Sequence, residues 1–237
     1  MQKGRDSVIV IGAMIGAGKT SYTKLISKHL GSEAFFESVD DNRLLELFYA
    51  DKSRYAFPLQ VYFLNTRFRD IKRAMRHRNN VLDRSIYEDS LFASLNAEGY
   101  FGKVTGKYYE PNMAAAEYEC YVDLLENMLE EVENLEDTPK KRPDLFIYLR
   151  ASFETIESRI KQRGRSFEQF EDNPELEDYM RELHSRYDDW VFNHYDKSQV
   201  LVIDADKIDI TRPEDAVEVL RQVDAALNEL DRKIIQY

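Results

Sequence analysis

The chain has 237 residues, a formal net charge of −11 and a single cysteine. That length suffices for one large α/β domain with a well-buried core, and the lone Cys120 excludes an intramolecular disulfide and any cysteine-based metal cluster. The acidic balance argues against a nucleic-acid polymer as the main partner; no apolar run approaches membrane-spanning length and no secretory signal is visible, so no membrane partner and a cytoplasmic location are expected.

The first element is a strand, Val8 to Ile11, β-branched at every position. It breaks into Gly12-Ala13-Met14-Ile15-Gly16-Ala17-Gly18-Lys19-Thr20, and a helical pattern follows to Leu30, stopped by Gly31. Three of the nine glycines fall within residues 12–18. Strand, glycine-rich turn and helix are the context of a phosphate-binding loop. Glycines let backbone N–H groups approach phosphate oxygens, and the helix adds its positive end. In such a loop Lys19 reaches the terminal phosphates and the Thr20 hydroxyl ligates Mg²⁺. ATP, or another nucleoside triphosphate, and Mg²⁺ are therefore the expected cofactors. The spacing departs from G-x-x-x-x-G-K-[ST] by one position, since Ala13 stands where the first glycine belongs and Gly12 precedes it.

Downstream, Ala34-Phe35-Phe36-Glu37 suggests a short buried strand with a carboxylate at its carboxyl end, the edge where parallel α/β sheets bind ligands. Asp40 and Asp41 open a helix through Leu44, Leu45 and Phe48 that ends near Tyr49. A long helix is expected from Pro58 to about Arg78, with Pro58 in its first turn and Gln60, Tyr62, Phe63, Arg67 and Ile71 along it. Asn80 to Ser85 is a third strand, and Ile86 to about Ala97 returns to helix. Glu98 to Asn112, with three glycines and one proline, suggests a loop. From Met113 to Leu135 the apolar residues step by three and four, one face of a long helix. Pro143 to Leu149 is a fourth strand, and Ser152 to about Gln162 a helix. Leu176 to Trp190 is a helix with a broad aromatic face, and Val200 to Ile203 a fifth strand. Thr211-Arg212-Pro213-Glu214 has the form of a capping box before a last helix. Strands alternating with helices imply a single α/β domain over residues 1–237, a five-stranded parallel sheet with helices on both faces.

Three charged constellations close successive elements: Glu37, the Asp83-Arg84-Ser85 run, and Arg159, Arg163 and Arg165. Phosphoryl transfer needs a metal clamp, a group that orients the attacking oxygen, and cations on the moving phosphoryl. A carboxylate at a strand tip can take a proton from an attacking hydroxyl. A second one, on the neighbouring strand, can hold Mg²⁺ or its waters beside Thr20. Arg159 and Arg163 lie four apart on one helical face and Arg165 follows Gly164, which suits a lid over a triphosphate. Taken singly, each has a structural alternative: a helix cap, an ion pair, a solvated helix face. Their joint placement after consecutive strands favours the chemistry.

In Gly16 to Thr20, Phe36-Glu37-Ser38-Val39, Leu59-Gln60-Val61-Tyr62, Asp83-Arg84-Ser85-Ile86-Tyr87-Glu88-Asp89 and Arg159 to Glu168, the chain resembles the deoxyribonucleoside kinases. The resemblance runs from about Val8 to Trp190, and more weakly to the end. The D-R-S motif is that of the bacterial deoxyadenosine and deoxyguanosine kinases, where animal relatives have E-R-S. A P-loop kinase fold is implied, with an arginine-bearing lid at about 159–172. So is ATP-dependent phosphorylation of the 5′-hydroxyl of a deoxynucleoside in nucleotide salvage, the substrate being a purine deoxynucleoside or deoxycytidine. By the same resemblance Glu37 is the general base, Asp83 acts with Thr20 around Mg²⁺, and Arg84 lies beside the 5′-oxygen. Gln60, Arg67 and Asp89 read the base edge, Tyr49 and Glu168 hold the sugar 3′-hydroxyl, and Arg159, Arg163 and Arg165 serve the lid. Family members pair through a helix bundle, which implies a homodimer, or a heterodimer with a related kinase subunit. Faces suited to pairing follow Asp83 and run from Tyr118 to Leu135.

Two rivals share these features. A nucleoside monophosphate kinase, such as a thymidylate kinase, needs extra cations for an acceptor phosphate, whereas Gln60 and Asp89 line the acceptor side here. A non-catalytic nucleotide-binding subunit would lack catalytic residues, and only the loop glycine is missing. A GTPase switch would carry N-K-x-D and D-x-x-G, and the chain has neither.

Overall fold

The computed structural model describes residues 7–36, 42–76, 79–136 and 141–235, with side chains to 232. Five parallel strands form the central sheet: β1 (Val8–Gly12), β2 (Glu33–Phe35), β3 (Asn80–Asp83), β6 (Leu145–Arg150) and β7 (Gln199–Asp204), in the order β2-β3-β1-β6-β7. The order follows from burial. Every residue of β1 and β3 is buried, and all of β6 but Arg150, as expected of strands covered on both faces. β2 is only three residues long and β7 is partly open, so these two take the edges.

Helices flank the sheet. α1 (Lys19–Leu30) follows β1 and packs with α8 (Pro213–Ile235), while α3 (Lys52–Arg76) packs with α4 (Asp89–Ala97) and α5 (Ala115–Asn134). On α5 the expected stripe is inward: Tyr121, Leu125 and Val132 are buried. α6 (Phe153–Arg163) ends at Gly164, whose φ of 71° closes the helix in the left-handed region, as C-terminal glycines do. α7 (Pro174–Asp189) turns its aromatic face into the core and ends in a π turn, Trp190–His194. Register puts the ligand-binding edge in one line: Ile11 lies beside Asp83 on β3 and Ile147 on β6, and Gly12 beside Tyr148. No helix among the described residues is long and apolar enough to cross a membrane.

The structure differs from the sequence expectation in five places. α2 (Arg43–Ala50) is opened by Asn42, which accepts from the Leu44 N–H at 3.0 Å; Asp40 and Asp41 lie outside the described residues. α3 starts six residues before Pro58, because Asp51 accepts from the Arg54 N–H at 3.2 Å and initiates the helix there. The proline therefore sits inside the helix, where its missing N–H removes one ladder bond and its ring crowds the carbonyl of Arg54. β2 begins at Glu33 and stops at Phe35, leaving Phe36 exposed on the cleft wall.

Finally, the glycine-rich stretch after α4 is not featureless. It forms an antiparallel hairpin, β4 (Tyr100–Phe101) and β5 (Tyr108–Tyr109). Asp178 on α7 pins it, accepting from the N–H groups of Val104 (2.6 Å) and Thr105 (3.1 Å), the Thr105 hydroxyl (2.7 Å) and the Tyr109 hydroxyl (3.1 Å). Burial raises the pKa of such a carboxyl, but these four donors prevail and hold it below its ordinary range. At the start of α8 it is Asp215, not Glu214, that reaches back, accepting from the Asp209 N–H at 2.8 Å.

Candidate active site

β1 delivers the chain into the phosphate loop. Gly16 and Gly18 have φ of 88° and 98°, values that a side chain would strain. Gly12 serves packing instead: a Cβ there would stand 2.2 Å from the Phe146 ring. Ala13 needs no glycine, because Arg84 is the one non-glycine residue with positive φ among the described residues. The departure from the strict glycine spacing thus falls where the backbone is unstrained. Ala13 is a hub. Its N–H donates to Glu88 Oε1 (3.1 Å), and its carbonyl accepts from Lys19 Nζ (3.3 Å) and Arg84 Nη2 (3.0 Å).

Because Ile11 and Asp83 are in register, the tip of β3 meets the first turn of α1. The Thr20 hydroxyl donates to Asp83 Oδ2 at 2.5 Å. A hydroxyl and a carboxylate are hard oxygen donors, and Mg²⁺ is held by one or two such groups plus phosphate and water. The residues present fit the ion. Beside them Arg84 has φ 68° and is 4% exposed. Its guanidinium lies over the Phe92 ring, 4.7 Å from the centroid, and donates to the Tyr187 hydroxyl at 2.8 Å.

These groups open into a cleft of about 640 Å³. Of the residues expected in the site, Ile15, Gly16, Gly18, Lys19, Thr20, Tyr49, Gln60, Arg67, Asp83, Arg84, Arg163, Arg165 and Glu168 line it. On the wall across from the loop, Arg67 pairs with Asp89 behind it, and Phe63 stacks under the guanidinium at 4.4 Å. Gln60 is 3% exposed, and its Oε1 has no hydrogen-bond partner among the described residues. An orphaned buried amide oxygen costs about 1–3 kcal/mol until a donor reaches it. Tyr49 stacks on Phe167, 5.6 Å between centroids, and Glu168 next to it pairs with Arg163 and with Arg165 (3.6 Å).

Other expected residues stand elsewhere. Gly12, Ala13, Met14 and Ala17 lie behind the cleft surface. Arg159 does not line it: its guanidinium donates to the carbonyls of Ala17 and Ala205, both at 2.8 Å, tying α6 to the loop and to the end of β7. Glu37 lies outside the described residues. Sequence reasoning missed Phe48, Phe63, Phe92 and Tyr179 on the cleft wall, which look like ordinary core residues in a sequence. It also gave Glu88 no role, although the side chain is fully buried against the loop.

Known proteins resemble this chain over most of its length. The family model for deoxynucleoside kinase matches residues 9–228, past Trp190 and into α8. A deoxyguanosine kinase of Lactobacillus johnsonii is 47% identical over 227 residues, 95% of each chain. A deoxyadenosine kinase of Lactobacillus acidophilus is 42% identical, covering 94% of this chain and 97% of its own. Among solved structures, the deoxyadenosine kinase of M. mycoides with bound dATP superposes with a TM-score of 0.68 at 30% identity, over 94% of this chain and 99% of that one. With the family model spanning nearly the whole chain and relatives at 47% and 42% identity along it, the chain belongs to the deoxynucleoside kinase family.

Proposed function

We propose that this kinase transfers the γ-phosphoryl group of ATP to the 5′-hydroxyl of a purine deoxynucleoside, as a cytoplasmic salvage enzyme built from one domain with a lid at about 159–172. One observation carries the reading: the phosphate loop with its Thr20–Asp83 pair opens into the same cleft as Gln60 and the Arg67–Asp89 pair. Donor phosphates and an acceptor nucleoside can therefore be held together in one cleft. The purine preference is supported by the names of the relatives at 47% and 42% identity.

Each residue has a task in this reading. Lys19 and the loop N–H groups hold the donor phosphates, and Arg163 and Arg165 close over them. Thr20 and Asp83 would hold Mg²⁺, which neutralises phosphate charge when bound. Glu37 takes the proton of the 5′-hydroxyl, and Arg84 stabilises charge beside that oxygen. Gln60 Oε1 accepts from the base edge, with Arg67 and Asp89 completing the match. A base that leaves these buried groups unpaired is rejected strongly. Tyr49 and Glu168 hold the sugar. The chain pairs as a homodimer through α4 and α5, a reading supported by the groove of about 770 Å³ beside them, lined by Tyr118, Val122, Leu125 and Leu129.

The test is product identity. With ATP and Mg²⁺, deoxyguanosine and deoxyadenosine are expected to give 5′-monophosphates, read by phosphorus NMR and mass. Conversion of a nucleoside monophosphate to a diphosphate instead would move the assignment to the rival kinase class.

A further inference from the structure

Glu88 stands four residues after Arg84, at the end of a 3-10 turn, Ile86–Glu88, that brings its side chain back under the phosphate loop. Three donors converge on its Oε1: the Ala13 N–H (3.1 Å), the Tyr187 hydroxyl (2.8 Å) and Arg84 Nη1 (2.8 Å). Arg84 Nη2 meanwhile donates to the carbonyl of Ala13 (3.0 Å), and Lys19 Nζ reaches the same oxygen (3.3 Å). The bonds form a closed ring from Glu88 through Ala13 to Arg84 and back, with Tyr187 bridging one side. Glu88, Ala13, Tyr187 and Arg84 are all at most 4% exposed, so water does not loosen the ring. Arg84 is also the described non-glycine residue held at positive φ, a strain that persists only where surroundings over-determine it.

We infer that Glu88, assisted by Tyr187, is a positioning residue that fixes the Arg84 guanidinium against the entry of the phosphate loop. One carboxylate thereby sets both the loop's first peptide and the cation beside the reacting oxygen. A plain counterion in the core would need no bond to Ala13. The inference rests on the reading that Arg84 faces the transferring phosphoryl group.

The test compares Glu88→Gln, Tyr187→Phe and Arg84→Lys, each alone, and Glu88→Gln combined with Arg84→Lys. Four quantities are read: kcat, the calorimetric Kd of deoxyguanosine, that of ATP, and Tm. Glu88→Gln keeps the volume and an acceptor oxygen but removes the charge that orients Arg84. Misplacing a catalytic group by about an ångström can cost on the order of 10²-fold, so kcat is expected to fall about 10²-fold with both Kd values within about threefold. In the Arg84→Lys background the same change should cost almost nothing, since the group it positions is gone. Tyr187→Phe keeps the ring stacked on Tyr148 (6.2 Å, 6°) and should lower kcat about fivefold, the worth of one hydrogen bond. If Glu88→Gln does not fold, Tyr187→Phe decides alone, and an unchanged kcat there overturns the inference. It is equally overturned if Glu88→Gln loses kcat, binding and Tm together, or costs the full factor in the Arg84→Lys background. Wild-type kcat in Arg84→Lys removes the underlying reading of Arg84; a damaged Arg84→Lys beside an intact Glu88→Gln removes only the inference.

Discussion

The floor and the rim of the cleft hold their charges on different terms. On the floor, Lys19, Asp83, Arg84 and Glu88 are each less than a tenth exposed. They bond to loop backbone, to Thr20 or to one another, around the ends of β1 and β3, whose register is set by the central sheet. On the rim, the side chains of Arg163 and Arg165 are 33% and 27% exposed, on either side of Gly164. Both pair with Glu168 across a 3-10 turn. A floor built this way is preorganised, its field in place before substrate arrives, which is where the largest electrostatic rate terms come from. In the proposed reading, rim arginines already engaged by Glu168 would gain phosphate contacts by rearranging, as lids do. Floor changes should therefore cut turnover for every substrate alike, and rim or wall changes should act on affinity and choice.

The largest expected effect falls on Glu37, the proposed proton acceptor. Glu37→Gln keeps volume and hydrogen bonding but cannot take a proton, and general-base help is worth ~10²–10⁴-fold. A fall of that order in kcat is expected, with nucleoside and ATP binding measured by calorimetry changed far less. An intact kcat would move the base assignment to another carboxylate. Lys19→Ala comes next: losing one fixed cation from a preorganised site costs ~10²–10³-fold in kcat, while circular dichroism and Tm should report an intact fold. On the rim, Arg163→Lys keeps the charge and loses the fork. It should raise the Kd of ATP about tenfold, one charge-assisted hydrogen bond, and leave the Kd of deoxyguanosine unmoved.

A control outside the cleft sharpens the contrast. Asp178→Asn leaves its buried donors imperfectly matched and should cost ~1–3 kcal/mol of stability with little change in kcat. Its pH dependence has a definite sign. The folded pKa is depressed by the hairpin's donors, so the carboxylate stabilises above the unfolded value near 4 and loses that contribution as pH falls through the folded one. Acid unfolding of Asp178→Asn should lack this component, seen as a shallower loss of Tm below about pH 4. An identical acid profile would mean the four hydrogen bonds contribute nothing net.

The floor was the more legible region in sequence. Val8 to Thr20 announces itself, because a β-branched run, three glycines and Lys-Thr leave few structural alternatives. The parallel sheet and its five strands were readable for the same reason, each strand being a short apolar run between helical patterns. Boundaries were read wrongly where a local cap outcompeted a stronger-looking signal. Asp51 starts α3 although Pro58 advertises a first turn. The hairpin at 100–109 was invisible because its anchor, Asp178, is some 70 residues away in sequence. Glu88 and Tyr187 were missed in the same way. The one lies inside a recognised motif and the other on an apolar helical stripe, and only the fold brings them to Ala13.

The contrast between floor and wall is tested most directly by the ratio of kcat/KM for deoxyguanosine over deoxyadenosine, both competing in one reaction with ATP and Mg²⁺. Thr20→Ala, which removes the hydroxyl bonded to Asp83, should slow both substrates together and leave the ratio within about twofold of wild type. Asp89→Asn alters the partner of buried Arg67 without leaving that guanidinium bare. It should shift the ratio about tenfold or more, the equivalent of ~1–3 kcal/mol at a desolvated base edge. A ratio that moves in Thr20→Ala, or stays fixed in Asp89→Asn while both substrates slow by one factor, would contradict the account.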